Sequence, residues 1–100
     1  SVEILLDHMY AILKKYDDIK SADVYFTANK EVYTVNIEAV LGETTEINKL
    51  VESLKKDVNN LFEENYGYKD VVETKVTFKM SNDSEVVPSS IKNEENKNRN

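Results

Sequence analysis

Apolar residues recur along this chain with two different periods, and the switch between them marks the elements. The longest single pattern runs from Thr44 to Gly67. Ile47, Leu50, Val51, Leu54, Val58, Leu61 and Phe62 fall on one face of a 3.6-residue helix, and Asn48, Lys49, Glu52, Lys55, Lys56, Asp57 and Asn59 fall on the other. Thr44 or Thr45 can cap the start, since a threonine hydroxyl accepts an amide that has no helical partner. Glu46 then meets the positive end of the helix dipole. Gly67 can end the helix in the left-handed conformation that side chains resist. One greasy face on one helix requires a sheet to cover.

The rest of the chain supplies it. Val2, Leu5, Leu6, Met9, Ile12, Leu13 and Tyr16 recur at helical spacing, which predicts a first helix over residues 2–17. Ile4 and Ala11 broaden its stripe, as expected of a helix buried on more than one side. Asp17 and Asp18 break the pattern, and the period becomes two. Over Ile19–Ala28, Ala22, Val24, Phe26 and Ala28 share one face, while Asp23, Tyr25 and Thr27 share the other. Asn29 and Lys30 read as a short turn. Glu31–Leu41 is the strongest strand, with Tyr33, Val35, Ile37, Ala39 and Leu41 inward and Val32, Thr34, Asn36, Glu38 and Val40 outward. After Gly67, Val71–Met80 alternates again, with Val72, Thr74, Val76, Phe78 and Met80 inward. Residues 81–100 hold the only proline, four serines, five asparagines and no apolar period, which predicts a disordered polar tail.

The order is therefore helix, strand, strand, helix, strand. A tight turn makes the first two strands antiparallel. The second helix is then a right-handed crossover to a parallel third strand. Because every strand has one apolar face, both helices should cover the same side. The prediction is an α+β domain over residues 1–80, with two helices on one face of a three-stranded mixed sheet in the order 1-2-3. The other face stays open.

Charge narrows the partners. The net charge is −6, and the only arginine is Arg99 in the tail. Phosphate backbones and anionic lipid surfaces need clustered cations, so nucleic acid and direct electrostatic docking on membranes are disfavoured. Cysteine is absent, which excludes disulfides and thiolate metal sites. No run of about 20 apolar residues exists to form a transmembrane span. The chain opens Ser-Val-Glu without an initiator methionine, which reads as processing or as a fragment of a longer protein.

Reactive chemistry is sparse. His8 is the only histidine and has no partner at metal-ligand or catalytic-triad spacing, so it reads as a surface or rim residue. Asp17-Asp18 and Glu63-Glu64 are adjacent acids at helix ends, where solvation is the ordinary explanation. Gly42 and Gly67 are too far apart for a phosphate loop. The G-x-x-G loop of a KH-type RNA module, whose elements can share this order, is absent. Stacking of bases on tyrosines without basic neighbours is unconvincing. No catalytic residue, metal or cofactor is predicted. What remains is surface: Tyr25, Thr27, Val32, Thr34, Asn36 and Glu38 on the open sheet face, and Lys55 and Lys56 on the outer side of the second helix, as candidate partner-binding residues.

From Val32 through Phe78 the chain resembles the alkaline shock protein family of low-GC Gram-positive bacteria. The strand Tyr33-Thr34-Val35-Asn36-Ile37-Glu38, the following Gly42, Ile47 opening a helix and Val58-x-x-Leu61-Phe62 closing it carry the likeness. Tyr66-Gly67 stands where the family often has Thr-Gly, and Val72-x-Thr-x-Val76-x-Phe78 alternates as its last strand does. The first helix also fits, so the likeness covers roughly residues 1–80. It implies a non-enzymatic cytoplasmic protein of the cell-envelope stress response that self-associates, or assembles with a homologous alkaline shock protein, at the inner face of the membrane. One branch of the family anchors the soluble member through a transmembrane hairpin, which would lie outside this chain. Ring-building domains of sporulation and secretion assemblies share the element order and give the alternative, an oligomerisation domain.

Overall fold

The computed structural model describes residues 1–42, 46–69 and 72–80. It has the predicted order: α1 (Val2–Leu13), β1 (Ile19–Ala28), β2 (Tyr33–Leu41), α2 (Ile47–Tyr66) and β3 (Val72–Met80). The sheet order is β1-β2-β3, with β1 antiparallel and β3 parallel to β2. This is the α+β fold expected from the periodicities. The predicted tail and the two candidate threonine caps, Thr44 and Thr45, lie outside the described residues.

Helix α1 starts where the Ser1 hydroxyl accepts from the Ile4 amide at 3.4 Å. Leu5, Met9 and Leu13 are its buried residues, each one turn after the last. The helix ends at Leu13, short of the predicted residue 17. There the amides of Lys15 and Tyr16 donate three residues back, to Ile12 and Leu13, and the last turn tightens. Tyr16 still packs on the core, so its place in the apolar stripe was correctly read while its helical state was not.

Strands β1 and β2 pair over nearly their whole length, from Ile19 opposite Leu41 to Ala28 opposite Tyr33, with one irregularity between Ile19 and Ser21. The connection is longer than a two-residue turn. The Asn29 amide donates to the Val32 carbonyl at 3.0 Å, and the Val32 amide donates to Asn29 Oδ1 at 3.2 Å. Asn29 thus closes a four-residue loop with its own side chain. Glu31 and Val32 belong to that loop, not to β2.

Helix α2 buries Leu50, Leu54, Val58 and Phe62, spaced by one turn throughout. Its first residue, Ile47, was placed on this face but is 40% exposed. Glu46 occupies the N-cap without a side-chain capping bond, its carboxylate lying 3.3 Å from Lys49 Nζ instead. Gly67 ends the helix at φ 70, donating to the Glu63 carbonyl at 3.0 Å. Inward residues of β1 and β2, namely Ala22, Val24, Val35, Ile37, Ala39 and Leu41, form one core with the buried faces of α1 and α2. Both helices therefore cover one side of the sheet.

Candidate functional site

The side of the sheet opposite the two helices gathers most of the candidate surface residues. Register places Tyr25 opposite Asn36, Thr27 opposite Thr34 and Asp23 opposite Glu38. The Tyr25 hydroxyl donates to Glu38 Oε2 at 3.2 Å, and the Asn36 amide donates to the Tyr25 carbonyl and to Thr27 Oγ1, both at 3.3 Å. One carboxamide thus fixes the β1 backbone and a hydroxyl, and one phenol fixes a carboxylate. The same contact raises the Tyr25 pKa, through the hydrogen bond to Glu38 first and its charge second. Asn36 was expected to be solvent-facing, yet it is buried at 8% exposure, because Tyr25 and Thr27 flank it across the strand pair. Tyr25 itself stands exposed. Beside this patch, Asp23, Glu38, Val40, Thr77 and Lys79 line a shallow concavity of about 400 Å³.

Three of the predicted residues do not join that patch. Val32 sits in the β1–β2 loop at one end of the sheet, since the Asn29 bonds pull it out of the strand. Lys55 and Lys56 are exposed on α2, which packs on the opposite side of the sheet. Tyr25, Thr27, Thr34, Asn36 and Glu38 form one surface, and the lysines belong to another.

A larger cleft, of about 550 Å³, opens at the loop end of the sheet. The start of α1 (Val2 and Leu5), the loop with Val32, and the end of α2 with Phe62, Tyr66 and Tyr68 enclose it. Phe26 stacks on Tyr33 at a centroid distance of 5.9 Å, Tyr33 meets Phe62 edge-on at 5.9 Å, and Phe62 packs against Tyr66 and Tyr68 at 5.8 and 6.4 Å. The periodicities along the chain single out neither Tyr66 nor Tyr68, so they do not predict the cleft. The only available signal was a pair of aromatics flanking the helix-ending glycine. His8 is exposed and does not line this cleft. Among the described residues, no group of three or more His, Asp or Glu side chains could hold a metal ion, and no helix is long and apolar enough to cross a membrane.

Comparison with family models, with curated proteins and with solved structures gave no significant match.

Proposed function

We propose that this chain is a non-enzymatic protein–protein interaction domain that recruits or assembles with a homologous alkaline shock protein at the inner face of the cell membrane in envelope stress. The observation that supports it most directly is the sheet face opposite the helices. There Tyr25, Glu38, Asn36 and Thr27 are cross-braced into a fixed patch with an exposed aromatic residue at its centre. Braced side chains lose little further freedom on docking, and tyrosine is enriched among the residues that dominate binding energy. The likeness of the 32–78 segment to the alkaline shock family supplies the identity of the partner. The acidic net charge and the lack of a catalytic residue set are in keeping with this role.

The test is capture of a soluble alkaline shock protein by the immobilised chain, followed by Tyr25→Ala and Glu38→Lys. Capture by the parent chain and loss of roughly tenfold or more in affinity on Tyr25→Ala are expected. No capture by the parent chain overturns the reading.

A further inference from the structure

The two edges of the sheet are treated differently. On β1, the Val24 amide does not serve β2 but donates to the Tyr10 hydroxyl at 3.3 Å. Helix α1 thereby occupies a donor on that edge, which is one way proteins blunt an edge strand. On β3, no described residue pairs with the outer edge. The inward side of β3 is also incompletely covered. Ile37, Ala39 and Leu41 of β2 are buried, whereas their neighbours on β3, Val76, Phe78 and Met80, are only half-buried, as is Val72; Thr74, beside Val35, is the one buried residue of β3.

We propose that β3 pairs antiparallel with β3 of a second copy of this chain, closing a two-fold dimer with a continuous six-stranded sheet. The proposal deepens the interaction reading above and rests on it for its purpose, though its evidence is separate. The strand is nine residues long and centred on Val76, so full overlap puts Val76 against its own copy. That register sets Glu73 opposite Lys79, Lys75 opposite Thr77, Thr74 opposite Phe78 and Val72 opposite Met80, each pair formed twice. The opposite charges meet on the solvent face; on the helix face the half-buried Val76 meets its own copy and Val72 meets Met80, while Phe78 meets the buried Thr74. A slip of two residues either way sets Lys75 against Lys75 or Lys79 of the copy, which is repulsive. A slip of one turns inward residues against outward ones. The alternative edge is worse placed: β1 has ten residues, so full overlap would oppose its two faces, and Tyr10 blocks it. With only one edge available, the assembly closes at two copies and does not extend into a fibre.

The full chain contains no cysteine, so single cysteines report the register directly. Val76→Cys should form a disulfide-linked dimer on mild oxidation, because directly opposed strand residues lie within disulfide reach. A mixture of Lys75→Cys and Thr77→Cys, both at exposed sites, should give mainly the mixed dimer, which keeps the test open if Val76→Cys fails to fold. Thr27→Cys, on the far strand, should not cross-link. In light scattering, Lys79→Glu should weaken dimerisation by about tenfold, and the Glu73→Lys/Lys79→Glu swap should restore it to within about threefold. A monomer at every concentration, cross-linking as strong at Thr27→Cys as at Val76→Cys, or no rescue by the swap would overturn the proposal. So would slow hydrogen exchange of the β3 amides in a protein of monomer mass, which would assign the edge to other residues of the same chain. Capture of the alkaline shock homologue by the Lys79→Glu protein separates the outcomes: capture without dimer leaves the interaction reading standing, and dimer without capture leaves this one.

Discussion

The Tyr16 hydroxyl donates to Asp57 Oδ2 at 2.5 Å, across 41 residues of sequence. The bond ties the segment after α1 to the middle of α2, and Lys15 Nζ lies 3.5 Å from the same carboxylate oxygen. Burial, then the hydrogen bond to Asp57 and its charge, push the Tyr16 pKa up to about 12 from an ordinary 10.0. The folded protein therefore holds the phenolic proton more tightly than the unfolded chain does. The stabilisation is complete below pH 10 and is lost as pH rises from there through about 12. Tyr16→Phe should cost about 1–2 kcal/mol at neutral pH, because it leaves the partly buried Asp57 short of a donor. It should also reduce the fall in stability above pH 10, which urea denaturation across a pH series would read. An unchanged alkaline slope would show that the bond is not maintained in solution.

Tyr10 and Val24 give the second prediction. Removing the hydroxyl in Tyr10→Phe frees the Val24 amide at the outer edge of β1 and keeps the ring in its contact with the core. A loss of about 1 kcal/mol is expected. Hydrogen exchange should quicken at Val24 more than at its neighbours. On the β3 pairing proposed above, self-association should then extend beyond two copies, since the β1 edge would offer a free donor as well.

Phe62 is the hinge of the aromatic cluster. It is 1% exposed and touches the rings of Tyr33, Tyr66 and Tyr68. Phe62→Ala should destabilise the fold by about 3–5 kcal/mol. The near-ultraviolet dichroism of the tyrosines should collapse with it. Tyr66→Ala, by contrast, removes a ring that is 40% exposed and should cost much less.

The two glycines should respond differently to alanine. Gly67 holds φ 70 with open space around its α-carbon, so the penalty of Gly67→Ala is backbone strain alone, about 1–2 kcal/mol. Asparagine there should recover part of it. Gly42 has no positive φ, but an added methyl would stand 2.7 Å from Lys20 Cε. That atom is near the tip of a flexible side chain. Gly42→Ala should therefore be mild, and Gly42→Ala in a Lys20→Ala background milder still, by thermal melting.

Much of this arrangement was legible before any coordinates. The period of two in Ile19–Ala28, the dense β-branched run before Leu41 and the 3.6 period of α2 each fixed an element and most of its buried face; Val40, outward by alternation, is buried, and Ala28, inward by alternation, is exposed. Gly67 announced the end of α2. Where reading along the chain failed, side chains had overridden local preference. Asn29 closed the hairpin loop with its own amide oxygen acceptor and drew Val32 off the sheet. Tyr25 and Thr27 flanked Asn36 and buried a residue whose alternation said exposed. Five of the eight candidate interaction residues did share one surface, because same-face strand residues stay together whatever lies around them.

Periodicity is a property of neighbours along one strand or helix, so the sequence by itself determined the elements, their order and which side of each was apolar. It could not determine lateral position. That Tyr10 reaches the β1 edge, that no described residue pairs with the outer edge of β3, that Tyr16 finds Asp57 and that three distant segments enclose the aromatic cleft all depend on how elements pack side by side. Those contacts form only when the chain has closed on itself, and they alone decide which surfaces are left for another protein to use.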